Sequence, residues 1–244
     1  MAPASCLSCP LSETLVARNR QHMARLPFRN RVEAGRALGR ALRLLADRRD
    51  VVVLGLPRGG VVVAFEVAQA LHVPLDVMVV CKLGVPGQEE VALGAIASGG
   101  VRVLDRQLIE TLDIPSETIE ALTTERRAEV ERREHLYRGE RSPLDVAGKV
   151  VILVDDGIAT GSTVRAAVSA LRERRPARII IATPVAPASV CTELRREADE
   201  LVCVAQPENF FAVGQWYWNF SQTSDEEVRE LLDRTSKVGV THAA

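Results

Sequence analysis

The chain has 244 residues, with 31 Lys and Arg against 32 Asp and Glu, and 47% apolar residues. That length is enough for one or two domains with a full hydrophobic core, and a net charge of −1 gives no overall field for nucleic acid or anionic membrane. No apolar run approaches the roughly 18 residues of a membrane span, Met1–Pro10 lacks the basic and apolar regions of a signal peptide, and five scattered cysteines form no disulfide framework, so a soluble cytoplasmic protein is expected.

Residues 1–26 show little periodicity and are expected to form a flexible arm. Within them Cys6 and Cys9 form a C-x-x-C, but no second pair of suitable spacing exists to complete a zinc site. Val32, Leu38, Leu42 and Leu45 recur at helical spacing over Arg31–Arg48. The β-branched run Val51–Leu56 predicts a buried strand, Gly59–Leu71 an apolar helix and Leu75–Cys81 a second strand. Gly84–Gly100, with Pro86-Gly87 inside it, predicts a long loop or a flexible hairpin, and Val101–Leu104 a short strand. Residues 105–147 carry no strand signal. Within them Ser116–Arg138 predicts an exposed helix with i,i+4 pairs such as Glu129–Arg133 and Glu134–Arg138. Acidic residues alternate with its arginines, which suits a solvated face better than a nucleic-acid surface. Strands at Val150–Val154, Arg178–Ala182 and Glu200–Val204 follow, alternating with helices at Thr160–Arg174, Ser189–Glu197 and Asp225–Arg234. This alternation predicts an α/β fold, a doubly wound, mainly parallel sheet of about five strands. Such sheets bind ligands at the carboxyl ends of their strands, so the loops after Leu56, Cys81, Val154 and Ala182 are the candidate sites.

The sharpest signal is Val151-Ile-Leu-Val-Asp-Asp-Gly-Ile-Ala-Thr-Gly-Ser-Thr163. A buried strand ends in two carboxylates, and a loop rich in hydroxyls then opens a helix. The orphan N–H groups of a helix N-terminus favour a phosphate, and the hydroxyls of Thr160, Ser162 and Thr163 add donors. Asp155 and Asp156 cannot hold that phosphate and suit sugar hydroxyls, a metal ion or a developing cation beside it. The loop lacks the Lys of a Walker A motif. An ordinary strand–helix turn would account for one capping hydroxyl, not for the whole series.

This segment closely resembles the 5-phosphoribosyl 1-pyrophosphate (PRPP) motif of the type I phosphoribosyltransferases. The resemblance implies that Asp155 and Asp156 hold the ribose hydroxyls, and that Ala159, Thr160, Gly161, Ser162 and Thr163 cradle the 5-phosphate. It makes Leu56-Pro-Arg-Gly-Gly60 the pyrophosphate loop, with the charge of Arg58 and the backbone of Pro57, Gly59 and Gly60. Lys82 would contact pyrophosphate, and Gly84–Gly94 would close over the substrate. No direct metal ligand is implied, although Asp155 and Asp156 are candidates through water or the ribose hydroxyls; Mg²⁺ is the expected cofactor. Six of the nine aromatic residues lie between positions 210 and 220. The family's hood maps to residues 27–35 and 205–223, where Phe210, Phe211 and Trp216 are candidates for stacking on a planar acceptor or for packing onto the core.

The implied domain is 27–236, with a helical insertion at 105–147 and a tail at 237–244. Phe28–Gly35, Leu93–Ile96 and Pro207–Phe211 are also similar to a group of bacterial phosphoribosyltransferases of unsettled substrate. Ala159 departs from the hypoxanthine–guanine branch, which has an acidic residue there, so 6-oxopurines are disfavoured. The insertion fits none of the well-characterised branches closely. The expected activity is Mg²⁺-dependent transfer from PRPP to a nitrogenous acceptor such as a nucleobase, as in nucleotide metabolism and salvage. The alternatives are a non-catalytic PRPP-binding regulator acting on nucleic acid, with the Arg-rich stretch 124–138 as its contact, and a homodimer built on the insertion.

Overall fold

The computed structural model describes residues 26–239. The arm and the Cys6–Cys9 pair lie outside the described residues, apart from Leu26, which packs against Phe28 and its neighbours.

Five strands form one parallel sheet: β1 (Val51–Gly55), β2 (Leu75–Val77), β6 (Val150–Val154), β7 (Arg178–Val185) and β8 (Glu200–Ala205), in the order β2-β1-β6-β7-β8. Its strands are runs of Val, Ile and Leu because both faces are covered. Val51, Val53, Ile152, Val154 and Ile180 face α1 (Arg31–Ala41), α2 (Gly59–Leu71) and α7 (Asp225–Gly239). Val52, Leu54, Val151, Leu153, Ile179 and Ile181 face α5 (Ser162–Glu173) and α6 (Ala188–Leu194). The chain runs outward from β1 to β2 and then returns on the other side of β1 as β6. The sheet therefore reverses direction between β1 and β6, and this switch point opens a crevice at their carboxyl ends.

The expected strand Leu75–Cys81 is two strands in two sheets. β2 stops at Val77, and β3 (Val80–Val85) pairs antiparallel with β4 (Gln88–Ala97), which pairs with β5 (Val101–Leu104). Between them Met78 N–H donates to the Gly55 carbonyl at 3.0 Å and Val79 N–H to Ser98 Oγ at 2.9 Å. The apolar run is unbroken through this change of partner, so hydrophobicity alone could not mark it. Gly84–Gly100 is the hairpin of the two alternatives, turning at Pro86-Gly87, with bulges beside Gly84. Helix α7 continues to Gly239, three residues into the expected tail, because no Gly or Pro stops it earlier.

The 105–147 segment holds α3 (Arg106–Thr111) and α4 (Ser116–Arg138). One face of α4 is not the solvated face expected. Val130 and Tyr137 enter the core, and Arg138 is buried with only 5% of its side chain exposed. Arg138 Nε donates to Asp76 Oδ1 at 2.8 Å and Nη2 to the Val77 carbonyl at 2.7 Å, while Nη1 pairs with Glu134. Asp76 also accepts from the N–H groups of Val77 (2.7 Å) and Leu144 (3.0 Å). This knot ties the C-terminal end of the insertion to β2. Removing one partner strands a buried charge, so Arg138→Met is expected to cost about 3–5 kcal/mol in urea unfolding. The double variant Arg138→Met/Asp76→Asn should lose less than Arg138→Met alone; an equal or greater loss would show that packing, not the ion pair, holds the insertion.

Candidate active site

The carboxyl ends of β1 and β6 are level, with Gly55 beside Val154, and Leu56 N–H donates to the Val154 carbonyl at 2.9 Å. The loop 57–60 is thereby pressed against residues 154–156, and its Pro57–Arg58 peptide is cis. Close approach explains the two glycines. A Cβ on Gly60 would lie 2.9 Å from the Val154 carbonyl oxygen, and one on Gly59 would lie 2.0 Å from Asp156 Oδ2. Helix α2 begins at Gly59, so its first free N–H groups rise beside the two aspartates.

Asp155 and Asp156 are mostly buried at the end of β6. Burial, and then the neighbouring Asp156 charge, push the Asp155 carboxyl up to about 8. Burial also raises Asp156, opposed by the hydrogen bond and charge of Arg31. Asp155 Oδ1 accepts from the Asp156 N–H at 2.9 Å, and Asp156 Oδ2 accepts from Arg31 Nε at 2.6 Å. The Arg31 and Asp156 side chains are only 12% and 14% exposed. Arg31 also donates from Nη1 to the Ser221 carbonyl at 2.7 Å and lies 3.9 Å over the Phe220 ring. Tyr217 OH donates to the Asp156 carbonyl, and burial raises that phenol above its ordinary range.

The loop beyond the aspartates reaches the N-terminus of α5. Gly161 has φ +77°, a left-handed conformation that suits glycine, and the helix starts at Ser162 rather than at Thr160. The Thr160 and Ser162 hydroxyls lie 3.3 Å apart, and Ala159, Thr160 and Thr163 are exposed. Arg165 Nη1 donates to the Thr160 carbonyl at 2.8 Å, and its other nitrogens pair with Glu193 and Glu197 from the α6 side. Lys82 sits inside β3, not at the end of the main sheet's second strand as expected. Its Nζ stands 3.4 Å from Ser162 Oγ, so the small sheet delivers it to the hydroxyl-rich loop.

The two expected hood segments meet. Phe28 N–H donates to the Trp216 carbonyl and Trp218 N–H to the Phe28 carbonyl, each at 2.8 Å. Of the aromatic candidates, Phe210 and Trp216 pair at 6.1 Å, and Phe211 is 89% exposed. The rings that reach the aspartates are instead Tyr217, through its hydroxyl, and Phe220, through Arg31; they stack at 5.0 Å. Arg31, Tyr217 and Phe220 are thus the site residues not singled out from sequence. One local signal was available for Arg31. Asn30 Oδ1 caps the Glu33 N–H at 3.0 Å and Glu33 accepts from the Arg29 N–H, which makes Arg31 the first residue of α1.

The aspartates make a stability prediction. Because the Asp155 pKa is raised in the folded chain above its ordinary 3.8, the folded state holds more protons between that value and about 8. Stability from this group is therefore full below the ordinary value and lost as pH rises through the raised one. Asp155→Asn removes the titration and keeps the acceptor for the Asp156 N–H. It should melt roughly 2–4 °C above the parent at pH 8 for each kcal/mol relieved, with the gain vanishing near pH 4. A gain that does not change with pH would contradict the burial of this charge.

A phosphoribosyl transferase domain model matches residues 30–221. "Putative phosphoribosyl transferase Rv0571c" of Mycobacterium tuberculosis H37Rv is 45% identical over 210 residues, covering 86% of this chain. This chain spans about half, 47%, of that relative's length. The crystal structure of TT1426 from Thermus thermophilus superposes with a TM-score of 0.77 at 40% identity, over 84% of this chain and 97% of that one. "Bifunctional protein PyrR" of Listeria welshimeri is 37% identical over 106 residues, 39% of this chain and 57% of its own. With a family match across most of its length, and with the parallel sheet and switch-point crevice described above, the chain belongs to the phosphoribosyl transferase domain family.

Proposed function

We propose that the chain transfers the phosphoribosyl group of PRPP to a nitrogenous acceptor, a nucleobase, and releases pyrophosphate. The observation that carries this reading is one crevice holding two buried carboxylates between a helix N-terminus at Gly59 and a hydroxyl-rich loop at Thr160–Thr163. A phosphorylated sugar needs both kinds of partner. The 5-phosphate would take the N–H groups and hydroxyls of residues 159–163, with Lys82 beside Ser162 adding charge. Asp155 and Asp156 would accept the ribose hydroxyls. The leaving pyrophosphate would lie against the amides of Gly59 and Gly60 and the guanidinium of Arg58.

No group of three or more acidic, His or Cys side chains gathers among the described residues as a resident metal site would. One oxygen of each aspartate is engaged within the protein, at Asp155 Oδ1 and Asp156 Oδ2. That donor set fits a hard cation that keeps its waters and arrives on substrate oxygens, as Mg²⁺ commonly does. Bound there, Mg²⁺ would neutralise charge on the pyrophosphate.

As the bond from C1′ to pyrophosphate breaks, positive charge develops on the sugar. The aspartates would face it, and the cationic and amide groups would face the leaving group, so catalysis rests on positioning and charge. Ala159 offers no proton-transfer group, which suits an acceptor already nucleophilic at nitrogen and disfavours 6-oxopurines. A regulatory PRPP binder without turnover is the second reading, supported by the likeness to a protein named bifunctional.

Pyrophosphate release from PRPP and Mg²⁺ across a panel of nucleobases tests the proposal. Release should depend on one acceptor class, and Asp156→Asn should lower turnover by about 100-fold or more. Unchanged turnover in that variant would remove the assignment. PRPP binding with no release under any acceptor would favour the regulator.

A further inference from the structure

We propose that Arg31 is a positioning residue for the sugar site: its ion pair with Asp156 fixes the carboxylate that receives ribose. This rests on the phosphoribosyl-transfer reading above. No feature of the domain match assigns a role to this arginine.

Four observations converge on it. First, Arg31 occupies the first position of α1, where the helix dipole disfavours a cation. A cation kept at the wrong end of a helix needs a compensating partner, and Asp156 is that partner at 2.6 Å. Second, the guanidinium is held from several sides. Asp156 takes Nε, the Ser221 carbonyl takes Nη1 and the Phe220 ring covers its face at 3.9 Å. Gly59 closes the remaining side, where an added Cβ would stand 2.6 Å from Nε. Third, the pair is largely out of water, where a charge-assisted hydrogen bond has its greatest directing power. Fourth, the group beside Asp156 is a second aspartate. With Arg31 in place the two carboxylates have one fixed cation against them; without it, two like charges would stand side by side.

The role is distinct from that of a substrate contact. Arg31 gives Nε to Asp156 and one Nη1 hydrogen to the Ser221 carbonyl, and acts on the sugar through the carboxylate it holds. Arg31 and Asn30 come from one hood segment and Phe220 and Ser221 from the other, so the same guanidinium sets Asp156 against both.

The test is a double-variant cycle on the full chain, read as the calorimetric affinity for PRPP in the presence of Mg²⁺. Arg31→Met should weaken binding roughly 10- to 100-fold, the worth of one charge-assisted hydrogen bond. Arg31→Lys should recover part of it. In an Asp156→Asn background Arg31→Met should cost less than about twofold, because its target carboxylate is already gone. Melting curves establish that each variant is folded; should Arg31→Met not fold, Arg31→Lys in the two backgrounds runs the same cycle. Losses that multiply independently, or tighter binding in Arg31→Met, would overturn the positioning role. If the parent chain binds no PRPP, the functional reading falls and this inference falls with it.

Discussion

Two adjacent carboxylates at the end of a buried parallel strand are hard to keep. Each loses hydration at β6, and the Asp156 charge raises the affinity of Asp155 for a proton. Much of the surrounding structure answers that difficulty. Arg31 brings a fixed cation to one of them. The free N–H groups at the start of α2 bring the positive end of a helix dipole to the same place. Gly59 and Gly60 let those groups come close, since any side chain there would meet Asp156 or the Val154–Asp155 backbone. The compensation is partial, which leaves the cluster ready to accept hydrogen bonds from a neutral polyol.

The sheet order supplies the frame for this arrangement. Because β1 and β6 are neighbours with the chain leaving in opposite senses, the loops 57–60 and 155–161 flank one crevice without any long connection crossing it. Everything else arrives from outside that frame. The small antiparallel sheet carries Lys82 to Ser162, and Arg165 braces the Thr160 carbonyl against α6. The hood segments lay Tyr217 and Arg31 over the aspartates. The sheet fixes the carboxylates, while the groups around them come from elements outside it.

Local chemistry made the framework legible in the sequence. Val51–Gly55, Gly59–Leu71 and Val150–Val154 are short, homogeneous runs with clear ends, and the motif at 151–163 concentrates its polar residues where strand meets helix. What remained hidden depends on distant partners. The break at Met78-Val79 is set by Gly55 and Ser98, which no window around residue 78 contains. Arg138 reads as one more surface arginine because Asp76, 62 positions away, is its partner. Arg31 meets Asp156 across 125 positions. In the aromatic cluster composition showed that large rings gather, but not which of them face the aspartates. That choice falls to Tyr217 and Phe220 through single contacts, while Phe211 and Trp218 point to solvent at 89% and 77% exposure.

The two buried arginine–aspartate pairs share their chemistry and differ in how completely they are satisfied. Asp76 receives N–H groups from Arg138, Val77 and Leu144, which engage both of its oxygens. Such a carboxylate has little capacity left for a ligand, and its pair serves to lock the insertion onto β2. Asp155 receives one N–H from Asp156, and Asp156 one from Arg31, each on a single oxygen. The second oxygen of each aspartate keeps acceptor capacity beside a crevice open to a ligand. The two pairs therefore serve different ends. The completed pair at Asp76 is architecture, and the incomplete one at Asp155 and Asp156 is where a ligand has bonds to form.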